Sequence, residues 1–257
     1  METIVIFIAA LLASALTLFS GFGLGTLLMP VVALFFPIEV AIAMTAIVHL
    51  ANNLFKIGLL GRKADTTVLI RFGAPAVAAA LVGAGMLAWL GELSPAFEYN
   101  AFGRDIQVSP LKLVIGLLII AFVALELSPS LSKITLERQW LPLGGMVSGF
   151  FGGLSGNQGA FRSMFLLKAG LDKEAFVATG IVLAVMVDVS RLVIYGIDIS
   201  AYGGSIEWPL VITASVAAFS GAYFGSKALK KVTIRSVQIV VSILLVVVAT
   251  GLITGVL

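Results

Sequence analysis

Six stretches of this chain, roughly 39–60, 68–90, 109–127, 174–196, 207–229 and 234–255, are each close to twenty residues long and nearly free of charge. About 20 predominantly apolar residues are what a helix needs to cross a bilayer. Only 11% of the residues are charged and 60% are hydrophobic, with a mean hydropathy of +1.14. A soluble domain carries about a quarter charged residues, so this chain has too little polar surface to face water. A polytopic, all-α membrane protein is the expected class. The stretch "IVIFIAALLASA" could be read as a signal-peptide core, but Glu2 stands where such a leader carries positive charge, and it is read as a retained helix.

Two regions break the pattern. Residues 3–36 are too long for one span and are cut by "SGFGLG" at Ser20–Gly25; residues 140–171 are cut by "GGLSGNQG" at Gly152–Gly159. The pieces of the second region, about a dozen residues each, cover roughly half of the hydrocarbon core at about 1.5 Å per residue. They read as hairpins of short helices, crossing or re-entrant. The breaks occupy matching places in an apparent duplication. "FSGFGLG" faces "VSGFFGG", "TAIV" faces "TGIV", "NLFK" faces "DVSR" and "LVGAG" faces "FSGAY". The implied organisation is a first repeat over 1–127, a cytoplasmic linker over 128–139 and a second repeat over 140–257.

Basic loops mark the cytoplasmic side. Arg62 and Lys63, Lys133 and Arg138, and Lys227, Lys230, Lys231 and Arg235 place their loops inside; the acidic loops at 91–108 and 197–206 fall outside. Parity then makes the second repeat upside down relative to the first, with both termini outside. Interrupted helices in inverted repeats are a design of secondary transporters. A backbone broken at membrane depth leaves N–H and C=O groups unpaired, which is tolerated only where they are buried in protein or line a cavity. The helix that follows presents free N–H groups and a positive dipole end, an arrangement suited to anions.

The candidate anion site therefore takes Ser20, Gly21, Gly23 and Gly25 from the first break. From the second it takes Ser155, Gly156, Asn157, Gln158, Gly159 and Arg162, and the intact helices add Asn53 and Arg191. Asp188 and His49 are candidates for a coupling proton. Each has a plainer reading. Arg162 could pair with Asp188 or a carbonyl, Asp188 and Arg191 could form a structural ion pair three residues apart, and His49 could be an interior hydrogen-bonding residue. Lys56 is read as snorkelling to the cytoplasmic surface. No P-loop, HExxH or G-x-S-x-G motif is present, and there is no cysteine. No enzyme activity, cofactor, metal or nucleic-acid partner is expected. An anion channel, a transporter of another small organic anion and a purely structural subunit remain rivals.

The run "FSGFGLGTLLMPVVALFFPIEVAIAMTAIVHLANNLFKIGLLGRKAD", followed by "VSGFFGGLSGNQGAFRSMFLLKAGLDKEAFVATGIVLAVMVDVSRLVIYG", resembles the TauE/SafE sulfite exporter family over nearly the whole chain. The resemblance implies a permease for sulfite, sulfonates or related organosulfur anions. It also implies residence in a bacterial inner membrane, with the lipid bilayer and a small anion as partners and a homodimer as a further option. One departure stands out: the family's second break carries a proline, where this chain has "LSGNQGAFR".

Overall fold

The computed structural model describes the chain except residues 21–22, 61–62, 102, 129–134, 202–205 and 229–233. Only the backbone is described at 17–20, 59–60, 126, 197–201, 226–228, 234–238 and 240–241. The elements are α1 (Glu2–Ser20), α2 (Leu24–Val32), α3 (Ile38–Leu60), α4 (Thr66–Val68), α5 (Ala74–Glu92), β1 (Phe97–Ala101), β2 (Arg104–Val108) and α6 (Pro110–Leu127). They continue with α7 (Leu141–Ser155), α8 (Gly159–Leu166), α9 (Lys173–Ala201), α10 (Trp208–Ala228) and α11 (Ile234–Thr254). A π turn at Leu69–Gly73 joins α4 to α5, so the two make one apolar run, Thr66–Glu92. By length and composition, four helices among the described residues can cross a membrane: Ile38–Gly58, Thr66–Glu92, Lys173–Gly196 and Trp208–Gly225. Outward side chains on them are apolar: Val82, Ile212 and Phe224 are more than 60% exposed. A hydrocarbon surface of that kind is stable in lipid rather than water.

Both interruptions are present. The second hairpin has arms of 15 and 8 residues, about 22 Å and 12 Å of helix at 1.5 Å per residue. Arm α7 ends because Gly156 adopts φ +79°, a left-handed cap that only glycine takes at little cost, and its N–H bonds back to the Gly152 carbonyl at 2.9 Å. Arm α8 restarts at Gly159 with no side chain capping its first N–H groups. The first hairpin has arms of 19 and 9 residues, and α2 likewise begins, after extended Gly23, without a side-chain cap. Aromatic rings hold the second break shut. Phe151 of α7 stacks on Phe161 of α8 at 5.1 Å, and Phe122 of α6 meets both edge-on. Such pairs contribute about 0.5–1.5 kcal/mol each beyond the area they bury.

Helix pairing rests on glycine. Gly145, Gly149 and Gly153 recur every fourth residue on α7, and a Cβ on each would stand 2.1 Å from the carbonyl oxygen of Phe72, Ala76 and Ala80 respectively. Gly83 of α5 answers from the other side, against the Phe150 carbonyl, also at 2.1 Å. Small residues that let backbones touch are what drives helix association where no hydrophobic effect operates. The same device joins α10 to α1, where a Cβ on Gly221 would meet the Leu11 carbonyl at 2.1 Å. The first arm of each hairpin thus packs on a helix from the other half of the chain. The long helices α3 and α9 pack on each other, as do α6 and α11.

One expectation needs correction. The segment 91–108, read as an acidic loop, contains an antiparallel hairpin pairing Phe97 with Val108 and Ala101 with Arg104. Its side-chain pairs Gln107–Glu98 and Asn100–Asp105 are each 2.8 Å long. The Tyr99 hydroxyl donates to the Thr254 carbonyl at 2.5 Å, so the hairpin sits on the end of α11.

Candidate functional site

The two breaks meet. A Cβ on Gly25, at the start of α2, would lie 3.6 Å from the Gly156 carbonyl oxygen at the end of α7 and 3.9 Å from Thr45 Cγ2 on α3. A Cβ on Gly156 would in turn lie 2.8 Å from Arg191 Nη1. Glycine at 156 is what admits the guanidinium to the junction, whereas at Gly25 a Cβ would make only ordinary contact. Both hairpin tips, the middle of α3 and the middle of α9 therefore share one buried locus.

At that locus Asp188 is fully enclosed, and each of its oxygens is engaged. Oδ1 accepts from Arg191 Nε at 3.0 Å and from Nη2 at 2.7 Å, and Oδ2 lies 2.5 Å from His49 Nδ1. The Asn53 amide nitrogen lies 3.2 Å from the same ring nitrogen of His49. Arg191 is 1% exposed, and its charge also lies 6.0 Å from the centre of the Tyr195 ring. Tyr195 donates its hydroxyl to the Gly153 carbonyl in α7, so the ion pair is fastened to the broken helix. A buried carboxylate is sustained only when paired and hydrogen-bonded, and this one is. The structural ion pair entertained for Asp188 and Arg191 is thus formed. His49 from α3 joins it, an interaction that links residues 139 positions apart.

Arg162 is different. It projects from the first turn of α8 toward α9, where a Cβ on Gly180 would be 3.6 Å from its Nε. Its Nη1 is buried without a hydrogen-bond partner. Asp188 is within electrostatic reach but bonds to Arg191 and His49 instead, so the internal pairing considered for Arg162 does not form. Beside it, Gln158 Nε2 and Asn157 Oδ1 are also buried and unpartnered, and both residues are less than 5% exposed. The tip backbone is fixed by neighbours: Ser148 Oγ donates to the Gln158 carbonyl at 3.1 Å, and Ser155 Oγ donates to the Phe151 carbonyl at 3.0 Å. Buried polar groups left unpaired are costly, and here two donors, Arg162 Nη1 and Gln158 Nε2, and one acceptor, Asn157 Oδ1, gather at the start of one short helix.

The remaining assignments divide. Gly23, Gly25, Ser155, Gly156 and Gly159 lie at the breaks as expected, and Asn53 reaches the locus through His49. Gly21 lies outside the described residues, as does the side chain of Ser20. Lys56 does not snorkel: it is 7% exposed and faces inward. The expectation failed because Lys56 lies one turn before the end of α3, close enough to a surface for its long stem to reach it in principle. Sequence reasoning passed over Asn52, whose Oδ1 accepts from Ser14 of α1 at 3.3 Å while its Nδ2 stays unpartnered. It also passed over Thr45, with an unpartnered buried hydroxyl, and Tyr195. Polar residues inside an apolar helix were the available signal. An apolar crevice with no room for a water molecule lies nearby, walled by residues such as Ile6, Leu28 and Leu210; its polar lining is Thr45 alone, so it has no cation to hold an anion.

A multi-pass integral membrane protein with two broken helical hairpins converging on buried charge belongs to the class of membrane transport proteins in architecture. The family is given by sequence: the model for sulfite exporter TauE/SafE matches residues 6–252, and the chain belongs to that family. No curated protein and no solved structure matches it.

Proposed function

We propose that the protein is a secondary transporter that moves a small sulfur-containing anion, such as sulfite or an organosulfonate, by alternating access. It is a permease and performs no chemistry on its substrate. The family is one of sulfite exporters, which supports a sulfur oxyanion as cargo. The observation that carries the site assignment is the buried, unpartnered Nη1 of Arg162 at the start of α8. Three positive features converge there: a full charge, the uncapped N–H groups of a helix N-terminus, and the Gln158 amide. An oxyanion supplies the acceptors they lack.

The inverted repeat is part of this reading. The exchanged packing of α7 on α5 and α1 on α10, with α3 against α9 at the centre, suits two halves that rock about a shared site. The halves are 1–127 and 140–257, joined by a cytoplasmic linker, with both termini outside a bacterial inner membrane.

Potential alone can drive export. Moving one charge through 100 mV yields about 2.3 kcal/mol, roughly a fiftyfold gradient, so an inside-negative cell expels anions without a coupling ion. Uptake needs a compensating cation, and the His49–Asp188 contact is where a proton would enter. A proton added there raises the charge of the His49–Asp188–Arg191 cluster by one beside the anion.

Purified protein in liposomes tests the class. A transporter gives sulfite flux that saturates with concentration and responds to an imposed potential. Flux that rises linearly without saturation is the behaviour of a channel and contradicts alternating access.

A further inference from the structure

A second cation stands opposite Arg162. Lys56 is 7% exposed, and among the described residues it has no ion-pair partner. It lies seven residues beyond His49 on the same face of α3. Gly180, against which Arg162 rests, lies eight residues before Asp188 on α9. The two helices run in opposite directions here, since Asp65, just after α3, donates its N–H to Thr179 Oγ1 at 2.9 Å. Starting from the His49–Asp188 contact, Lys56 is thus about 10 Å along one helix and Gly180 about 12 Å along the other, in the same direction. Lys56 and Arg162 arrive at the same level, and their charges are close enough to act on each other.

The charge count around them is lopsided. Asp188 is matched by Arg191, and His49 is shared with the same carboxylate. Lys56, enclosed, and Arg162, half-buried with its Nη1 enclosed, are left as two positive charges with no described carboxylate bonded to either. Two like charges held together in a low-dielectric interior repel strongly. A ligand with one negative charge relieves half of that excess; one with two relieves all of it.

We infer that Lys56 is the second cationic ligand of the substrate site and that it sets a preference for a divalent over a monovalent small oxyanion. The inference rests on Arg162 binding the transported anion, and the test keeps the two apart. Sulfate and methanesulfonate serve as probes, since both present tetrahedral sulfur–oxygen groups but carry two charges and one. Affinities are measured on purified protein by calorimetry, with melting in the absence of anion as the check on folding.

Wild type is expected to bind sulfate more tightly than methanesulfonate. Lys56→Gln should lose about tenfold or more in sulfate affinity while methanesulfonate stays within about twofold, and Lys56→Arg should keep the sulfate preference. Should Lys56→Gln not fold, Lys56→Met, which keeps the packing of the stem, is read by the same two affinities. Equal losses for both probes, an unchanged sulfate affinity, or a wild type without preference for sulfate overturns the role of Lys56. Arg162→Gln should abolish binding of both probes. If it leaves both intact, the site reading itself fails, whatever Lys56 does.

Discussion

His49 and Asp188 lie 2.5 Å apart although they stand 139 positions apart in the chain. The contact joins α3 to α9 at the depth where the two helix breaks meet, and through Arg191 it extends to the tip at Gly156. One carboxylate therefore organises a cation, an imidazole and a hairpin end. It leaves Arg162, which belongs to the other arm of the same hairpin, without a carboxylate of its own.

Removing that carboxylate should destabilise the fold. Asp188→Asn strands Arg191 as a buried charge, a loss of about 3–5 kcal/mol. The double change Asp188→Asn with Arg191→Met removes the stranded charge and should recover much of it. Thermal melting in detergent reads both. A single variant as stable as wild type contradicts the paired state of Arg191.

Coupling is a separate matter from stability. His49→Gln keeps a hydrogen-bonding side chain beside Asp188 but cannot carry a proton at neutral pH. It should abolish pH-gradient-driven uptake in liposomes and spare potential-driven efflux. Equal loss of both fluxes places His49 outside the coupling step.

Neighbouring glycines on α5 should respond in opposite ways. Gly83→Ala drives a methyl into the Phe150 carbonyl, 2.1 Å away, and should cost about 1–3 kcal/mol by overpacking. Gly85 faces open space within 4 Å, so Gly85→Ala should stabilise the helix by about 0.5–1 kcal/mol. Melting temperatures that move the same way in both variants contradict the close packing of α7 on α5.

Gly156→Ala meets two obstacles. An L-residue at φ +79° costs about 1–2 kcal/mol, and its methyl would stand 2.8 Å from Arg191 Nη1. The variant should melt lower than wild type and bind anion more weakly, because the tip is displaced from the pair it leans on. A crystal or cryo-EM structure of the variant with an unmoved Arg191 contradicts this account of the tip.

The spans were legible because apolar length is a strong signal. The block at 109–127 became Pro110–Leu127, and that at 207–229 became Trp208–Ala228. The second break was legible because glycine followed by Asn157 and Gln158 has no place in a lipid-facing helix. The partner of Asp188 was not. Arg191 is a helical neighbour and can be read from spacing, but His49 comes from a distant helix, and one sequence carries no information about which faces meet. Lys56 was misread for a related reason: its distance from a helix end says how far its stem can reach, not which way its face is turned. The hairpin at 97–108 was missed although "FEYNA" and "RDIQV" flank Gly103. Its charges serve cross-strand pairs, and they were read only as markers of side.

The central claim is that an anion sits at the start of α8 against Arg162. Calorimetric titration of sulfite into wild type and Arg162→Gln, with both proteins shown to be folded by melting, tests it most directly. Saturable binding to wild type and none to the variant is the predicted result; wild-type affinity in a folded Arg162→Gln contradicts it.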